Sequence, residues 1–572
     1  MRFFITTFIL NVFFLLHLSA QKEATNWILS PNSLLNFNPL PPTFNYTPAL
    51  PFITWESSAS ISDSNGNLLF YTDGDTVRGS NGSVLPNGDD VSFVQSVHLQ
   101  STTQGALFVK KPNSSNLYYL FSLGFYQDKY DQGVFSYSIV DKNLNGGVGS
   151  VVSRYNMLCL DTLAEKMTAT KHCNGRDFWI VVVKCLATKL KDGLPVEYLT
   201  EFQSYLLTEN GVQASPVKSV LKTRCGRFGQ MKFNNKGDEL AFARADYLTL
   251  LDFDKSSGKI SLKSERKLPL RNGYGVEYSP NDSLIYINQL QYHIASNTIT
   301  SLNNPNYLAQ LQRGLDNKIY SIRVTDGGGG FSNSTIVFPW TQYNWADAYF
   351  IGIPDNTYNL VAIENPNLIG NSCSYTPNYL VTNIPTPSWS VALPNFPSFY
   401  FNHPISEFVY SGTCAGETFQ FSLANSNLVP DSVHWIFHDT GYEVTSISSS
   451  YIFPGSGDWQ VTCIVYINGI ATSSTQCVNV CGINNVSLPA KIDLCDIPTP
   501  FELNALNTCS SVYLWSTGDT TASIKIENEG IYTLQTTNSC GVYDYTVEVF
   551  KGDNCTVLAE IPNIITVNND QT

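Results

Sequence analysis

The chain is predicted to be all-β: a seven-bladed β-propeller of the WD-repeat-like kind followed by two β-sandwiches. Three observations predict this. A polar tight turn leading into a run of aromatic and β-branched residues recurs seven times in the first two thirds of the 572 residues. Repetition at roughly 40–60 residues is the mark of a ring of small sheets. Past residue 400 the repeat stops, and a Cys, a Trp and a second Cys recur twice at the spacing of an immunoglobulin-like sandwich. Charged residues make up only 14% of the chain and aromatic residues 13%, where roughly a quarter charged is usual for soluble domains. That balance suits an extracellular β-protein better than a cytosolic enzyme.

Residues 1–20 read as a secretory signal peptide. Arg2 supplies the positive start, residues 3–16 the apolar stretch, and Leu18-Ser19-Ala20 the small-residue cleavage site before Gln21. The competing reading is a membrane anchor, but Thr6, Thr7 and Asn11 interrupt the run. No later segment reaches the ~18 apolar residues of a span, so no membrane span is expected in the mature chain.

The propeller is assigned to residues 25–402. Its turn-and-strand phrases run from Asp63-Ser-Asn-Gly66 into Leu68-Leu-Phe-Tyr71, and from Asn113 into Leu117-Tyr-Tyr-Leu-Phe121. They return from Asn174-Gly175 into Phe178-Trp-Ile-Val181, from Asn234-Asn235 into Leu240, and from Asn281-Asp282 into Leu284-Ile-Tyr-Ile287. The last two lead from Asp316-Asn317 into Ile319 and from Asp355-Asn356 into Tyr358. Asn26-Trp-Ile-Leu29 is expected to add a strand to the final blade and close the ring, which removes exposed sheet edges. Residues 393–401 read as the last apolar strand. The best short helical candidate is 162–170, which a loop explains equally well.

Two sandwiches are assigned to residues 403–481 and 482–552. The first carries Cys414, Trp435 and Cys463, the second Cys495, Trp515 and Cys540. In an immunoglobulin-like sandwich the two Cys bridge the sheets and the Trp packs on the bridge, so these four Cys are disulfide candidates; sandwiches without the bridges are the other reading. Thirteen Cys is an odd number, so at least one is unpaired or pairs with another chain. Cys159, Cys173, Cys185 and Cys225 read equally as small buried hydrophobes or as disulfide partners.

Several motifs carry a family resemblance: Ser58-Ala-Ser-Ile-Ser-Asp-Ser-Asn-Gly-Asn-Leu-Leu-Phe-Tyr-Thr-Asp-Gly74, Leu85-Pro-Asn-Gly88, Ser101-Thr-Thr-Gln-Gly-Ala106, Tyr137-Ser-Ile-Val-Asp141, Glu165-Lys-Met-Thr-Ala-Thr-Lys-His172, Tyr274-Gly-Val-Glu-Tyr-Ser-Pro280 and Leu393-Pro-Asn-Phe396. With them the chain resembles large secreted proteins of the Bacteroidetes type exported by the type IX secretion system, in which a propeller precedes PKD or immunoglobulin-like domains and a gliding-motility-associated sorting domain. Trp435-Ile-Phe437 with Asp439 looks like the PKD signature, and Leu514-Trp-Ser-Thr-Gly518 with Glu529-Gly-Ile-Tyr532 like the second sandwich type. Residues 553–572, with Ile561-Pro-Asn-Ile-Ile-Thr566, resemble the opening of a type B sorting domain and are expected to be its remnant. The resemblance implies export, surface attachment and the type IX machinery as a partner of the intact gene product.

Catalytic and metal motifs are mostly missing. Net charge is -14 and the pI about 4.9, with no basic stripe for nucleic acid or anionic lipid; the short cluster Lys189-Leu-Lys191 lies in a loop-like stretch. His172 beside Cys173 suggests a nucleophile pair, but neighbours on a strand face opposite ways. His434 and His438 are read as a solvent-facing pair, not metal ligands. Asp63-x-Asn65-Gly66-Asn67 imitates a calcium loop but has Gly74 where the twelfth-position Glu belongs, so a tight turn is expected. Gly327–Gly330 lacks the Lys-Ser/Thr of a phosphate loop, and Asp252 with Asp254 belongs to a strand entering a turn. No cofactor and no catalytic or metal residue is assigned. The expected function is recognition of an extracellular glycan or protein, or adhesion, with Tyr126, Tyr130 and Trp345 as candidate contacts and the sandwiches as spacers. A lactonase-like propeller hydrolase or lyase is the alternative; a structural part of the cell surface or gliding apparatus is the third.

Overall fold

The computed structural model describes residues 22–552, apart from 93–101, 127–128, 187–188, 192–193, 198, 245, 270–272, 303–306, 325–356, 384–389, 391, 402–405, 427, 483–485, 487, 497–499, 506–508 and 510–511. The signal segment with Ala20 and Gln21, the glycine run and residues 553–572 lie outside the described residues. The described chain is all-β, with only short 3-10 turns between strands. It divides into two compact units, Met1–Pro404 and Ile405–Thr572.

Among the described residues the first unit contains seven antiparallel sheets in succession, besides the two-stranded pair Lys189–Lys191 and Leu194–Glu197. The inner strands of the sheets are Asn26–Leu29, Ala59–Ser62, Ala106–Lys110, Leu163–Lys171, Met231–Phe233, Val276–Tyr278 and, in the last sheet, where Tyr307–Leu308 comes before it, Gln312–Arg313. Each of these touches the inner strand of the next sheet. The last sheet meets the first through Thr43–Tyr46 against Tyr375–Asn383, and through the Trp27 and Tyr320 rings, 5.7 Å apart. This is the order of a propeller, and the sheets are its blades. Inner strands are covered on both faces by neighbouring blades, so Ala59–Ser62 and Met231–Phe233 are buried throughout. The outermost strand Ile260–Lys267 is mostly exposed and charged.

The repeated phrase has one structural meaning. In blades 2 to 7 it is the hairpin between the inner strand and the next, and each hairpin holds one residue in the left-handed region: Gly66, Asn113, Gly175, Gly237, Asp282 and Asn317. Gly, Asn and Asp are the residues that adopt this conformation at low cost. At the first hairpin Asp63 Oδ1 also accepts from the backbone N–H groups of Asn65 and Asn67, each at 2.9 Å, so the imitation calcium loop is a turn.

Several expectations need correction. Asn26–Leu29 does not join the final blade; it pairs with Ser33–Asn36 in its own sheet through a turn at Asn32. The copy leading into Tyr358 joins the second and third strands of blade 7, because Thr357–Ile363 pairs with Ile319–Val324. The repeat therefore counts blade 7 twice and misses blade 1. Residues 162–170 are not helical: they fall in the inner strand of blade 4. Lys189–Lys191 is a strand, paired with Leu194–Glu197. Residues 393–401 are not a strand but a plug in the hub, ending in the 3-10 turn Ser398–Phe401 with all four residues buried.

The second unit holds two sandwiches. In the first, Phe408–Ser411, Thr418–Leu423 and Ser449–Ile452 face Tyr442–Thr445, Ser432–Phe437, Gly457–Ile467 and Ile470–Val480. Alternation along Ser432–Phe437 buries Val433, Trp435 and Phe437, and the Trp435 indole N–H donates to Ser446 O at 2.9 Å. The second sandwich packs a four-stranded sheet and the pair Phe501–Asn504 and Ser523–Ile526 around Trp515, Ile526 and Val547.

The cysteines depart most from expectation. Cys463 is free and buried; it lies opposite Trp435 on the adjacent strand, in a core with Phe408, Phe419 and Phe421 and no second cysteine. Burial pushes its thiol up to about 12. Cys414 instead bonds Cys540, 126 residues away, and Cys481 bonds Cys509, so both bridges join one sandwich to the other. Cys495 is disulfide-bonded as well. The physical reason is position: the backbones of Cys414 and Cys481 lie side by side in an isolated parallel β-pairing, at the end of the first sandwich where the second begins, so both sulfurs face the second sandwich's cysteines. In blade 4 Cys185 bonds Cys225 and Cys173 is disulfide-bonded; Cys159, in the outer strand of blade 3, is free.

Candidate functional site

The inner strands all run the same way, so their leading residues converge at one end of the hub, the mouth of the ring. Each inner strand also has an edge facing the axis, whose backbone groups need partners. Glutamine side chains supply many. Gln104 Nε2 donates to Met231 O at 3.1 Å and its Oε1 accepts from Met231 N at 2.8 Å. Gln230 Oε1 accepts from Leu311 N at 2.8 Å. Gln310 Nε2 donates to Glu56 O at 2.9 Å and Thr103 O at 3.0 Å.

The plug fills the rest of the axis. Asn395 N donates to Ser58 O at 2.8 Å, and Asn395 Nδ2 donates to Ala106 O at 3.3 Å and Met167 O at 3.1 Å. Gln310 Oε1 accepts from Leu393 N, Ser398 Oγ donates to Phe233 O, and Arg313 donates to Ser398 O. Farther along, Lys232 Nζ donates to Gln312 Oε1 at 2.6 Å and lies 3.9 Å from Glu277. The hub is packed along the plug.

At the mouth lies a cluster of titratable groups from four blades. Glu165 Oε2 accepts from Thr103 N and Thr103 Oγ1, both at 3.0 Å. Thr103 Oγ1 lies 3.0 Å from the Tyr274 hydroxyl. Tyr274 also hydrogen-bonds Glu56, whose carboxyl is held well above its usual range by burial and then by the Glu165 charge. Burial raises Glu165 too, against the Thr103 bonds and the positive charges of Arg227 and Lys166. One donor order satisfies every member when Glu56 is protonated: Glu56 to Tyr274, Tyr274 to Thr103, Thr103 to the Glu165 carboxylate. Gly229 lets blade 5 approach, since at φ +88° a Cβ there would lie 2.7 Å from Tyr274 O. Lys166, on the opposite face of its strand, donates to Phe228 O and Gly229 O and is pushed down to about 7 by burial.

Two large apolar side chains next in sequence to this cluster are exposed. Trp55, next to Glu56, is 47% exposed and Phe228, next to Arg227, is 40% exposed. The Arg227 guanidinium sits 5.5 Å over the Phe125 ring, near the tip of the Leu117–Tyr126 hairpin. Tyr126 ends that strand and Tyr130 lies in the next, but their side chains are outside what is described. Trp345 lies outside the described residues altogether. Neither mouth carboxylate was singled out in the sequence. The usable signal is position, since each mouth residue stands at the leading end of an inner strand, opposite the turn phrase.

The other sequence candidates are placed apart. Cys173 Sγ lies 3.7 Å from His172 Nδ1, but as a disulfide sulfur it is no nucleophile. His434 contacts Thr445 and Glu443, and His438 contacts Thr462. Asp254 caps a turn through Ser256 and Ser257. Among the described residues no group of three or more His, Cys, Asp or Glu is placed to hold a metal ion, and no helix is long and apolar enough to cross a membrane.

No family model matches the chain, and no curated protein matches it. Among solved structures, carbohydrate-binding modules of the β-sandwich superfamily are similar at 20% identity, over 22% of this chain and 52% of theirs, with a TM-score of 0.14; the chain spans about half of that protein. The Dos1 propeller is similar at 11% identity, over 47% of this chain and 71% of its own, with a TM-score of 0.28. A putative 6-phosphogluconolactonase from Bacteroides uniformis is similar at 8% identity, over 48% and 85%, with a TM-score of 0.28. TM-scores this low carry nothing about function.

Proposed function

We propose that the chain is an exported recognition protein whose ring takes an extracellular glycan on its mouth face, with the sandwich pair as a spacer. Two exposed aromatic side chains carry this reading, Trp55 and Phe228, next in sequence to Glu56 and Arg227. An exposed aromatic face accepts the apolar face of a sugar ring, and the Arg227 guanidinium beside Phe228 donates to its hydroxyls. The disulfides suit an oxidising, extracellular compartment, and the resemblance to type IX-exported proteins points to the cell surface as the place of action. An array of glycans probed with the full chain tests it. Saturable binding is expected, weakened at least ~10-fold by Trp55→Ala with the melting temperature unchanged; ~10-fold is 1.4 kcal/mol, the scale of one lost stacking contact. Undiminished binding by that variant, or no retained glycan, sinks the proposal.

One observation favours a second reading. The hydrogen-bonded line from Glu56 through Tyr274 and Thr103 to Glu165 joins two carboxyls that burial raises; with one of them protonated and the other ionised, the pair would have the division of labour of acid–base hydrolysis. Product released from a retained glycan, and lost in Glu165→Gln while binding persists, would favour that reading over simple recognition.

A further inference from the structure

The two bridges of the second unit have a mechanical consequence. Cys414 stands shortly after Ile405, where the unit begins, and Cys540 directly precedes Gly541–Phe550, the last described strand. The bond between them therefore joins the entry of the first sandwich to the exit of the second. Nearly the whole of both sandwiches, with their Trp435 and Trp515 cores, lies inside the covalent loop. The entry side is fixed further by Glu417, whose Oε2 accepts from Thr413 N at 3.2 Å and Cys414 N at 3.0 Å. At the exit Asn538 Oδ1 accepts from Cys540 N at 2.8 Å, and Asn538 Nδ2 donates to Gly482 O at 2.9 Å, across the junction.

We infer that the sandwich pair is an inextensible link: tension between its ends passes through the Cys414–Cys540 bond and bypasses the 126-residue stretch between them. A chain under load extends only to its shortest covalent path. With the bridge intact, that path bypasses everything between the two cysteines and loads only the segments flanking them, which contribute the edge strand Phe408–Ser411 and the strand Gly541–Phe550 to the sandwiches. Without it, the sandwiches are in series with the load and unfold by rupture of strand hydrogen bonds. The Cys481–Cys509 bridge lies inside the loop, so it keeps the sandwiches together but does not carry the end-to-end load.

The test pulls the full chain in optical tweezers through handles placed just before residue 405 and just after residue 552. Under oxidising conditions no sandwich-sized extension is expected. After reduction, the 126-residue separation at roughly 3.5 Å per residue adds about 440 Å of contour. Cys481→Ser with Cys509→Ser should leave the oxidised trace short, whereas Cys414→Ser with Cys540→Ser should lengthen it by at least ~200 Å at the same rise per residue. A proteolytic nick at any point between the two cysteines should leave the unreduced chain in one piece and release fragments only with reductant; this arm needs no variant to fold. An oxidised wild-type trace that gains ~440 Å, or a peptide map joining Cys414 to any other cysteine, overturns the inference.

Discussion

In the ring, order is imposed from the axis. Gln104, Gln230, Gln310 and Asn395, all at most 5% exposed, answer the backbone groups that the inner strands turn toward the hub. Buried charges such as Lys232 and Arg313 are tied to the plug or to neighbouring blades. In the sandwich pair, order is imposed by apolar aromatic cores and by bridges at the junction. Phe408, Phe421 and Phe437 pack on or beside Trp435, and the disulfides do what amides do in the ring. A ring of small sheets cannot bury its own central edges without polar partners. A sandwich buries its faces well, but needs something beyond them to fix its neighbour.

That difference gives graded ways to break the two units. The largest effect is expected from reduction. Loss of a bridge closing a loop of about 100 residues costs about 4–5 kcal/mol, and the second unit has fewer residues over which to spread the loss. Calorimetry with and without reductant should show its transition falling farther than that of the ring; equal shifts would contradict the division drawn above. Next comes Asn395→Ala, which leaves Ala106 O, Met167 O and the Gln104 amide short of a partner in the buried hub. A loss of about 1–3 kcal/mol is expected, confined to the ring's transition.

The smallest effect concerns pH. Burial holds the Glu56 and Glu165 carboxyls above their ordinary value of 4.5 in the folded chain. Raised carboxyls favour the folded state fully below about 4.5, and that contribution is lost as pH rises through the folded values. Glu56→Gln should therefore leave stability nearly unchanged at about pH 4.5 and raise it at about pH 8, where the folded chain would otherwise hold a buried carboxyl against its ionisation. Melting curves at the two pH values measure this, and a variant whose advantage is the same at both would remove the pair from the account.

The sequence was informative where structure is local. Tight turns announce themselves through Asn, Asp and Gly, so six inner hairpins were legible. Blade 1 was not, because its turn at Ser30-Pro31-Asn32 lacks the aromatic run. The Cys-Trp-Cys spacing points to Trp435 and Trp515, and both are buried in the sandwich cores, but the disulfides that spacing implies beneath them do not form: Cys463 is free and Cys414 bonds Cys540. The plug imitated a strand because its apolar residues, Leu393, Phe396 and Phe399 among them, pack on several blades at once. The mouth was hidden for another reason: Glu56, Thr103, Glu165 and Tyr274 lie on four blades, and no local pattern links them. Disulfide partners likewise depend on where strand ends meet, which spacing did not disclose.

The plug also orders events in time. Asn395 reaches Ala106 across 289 residues of sequence, and Tyr400 reaches Phe108 across 292. A chain emerging from its N-terminus therefore delivers all seven sheets before the piece that pins them. Until residue 401 arrives, the inner edges and the amides that serve them face water. Completion of the wheel is thus a late step, timed by the arrival of its axle and not by the making of its last spoke.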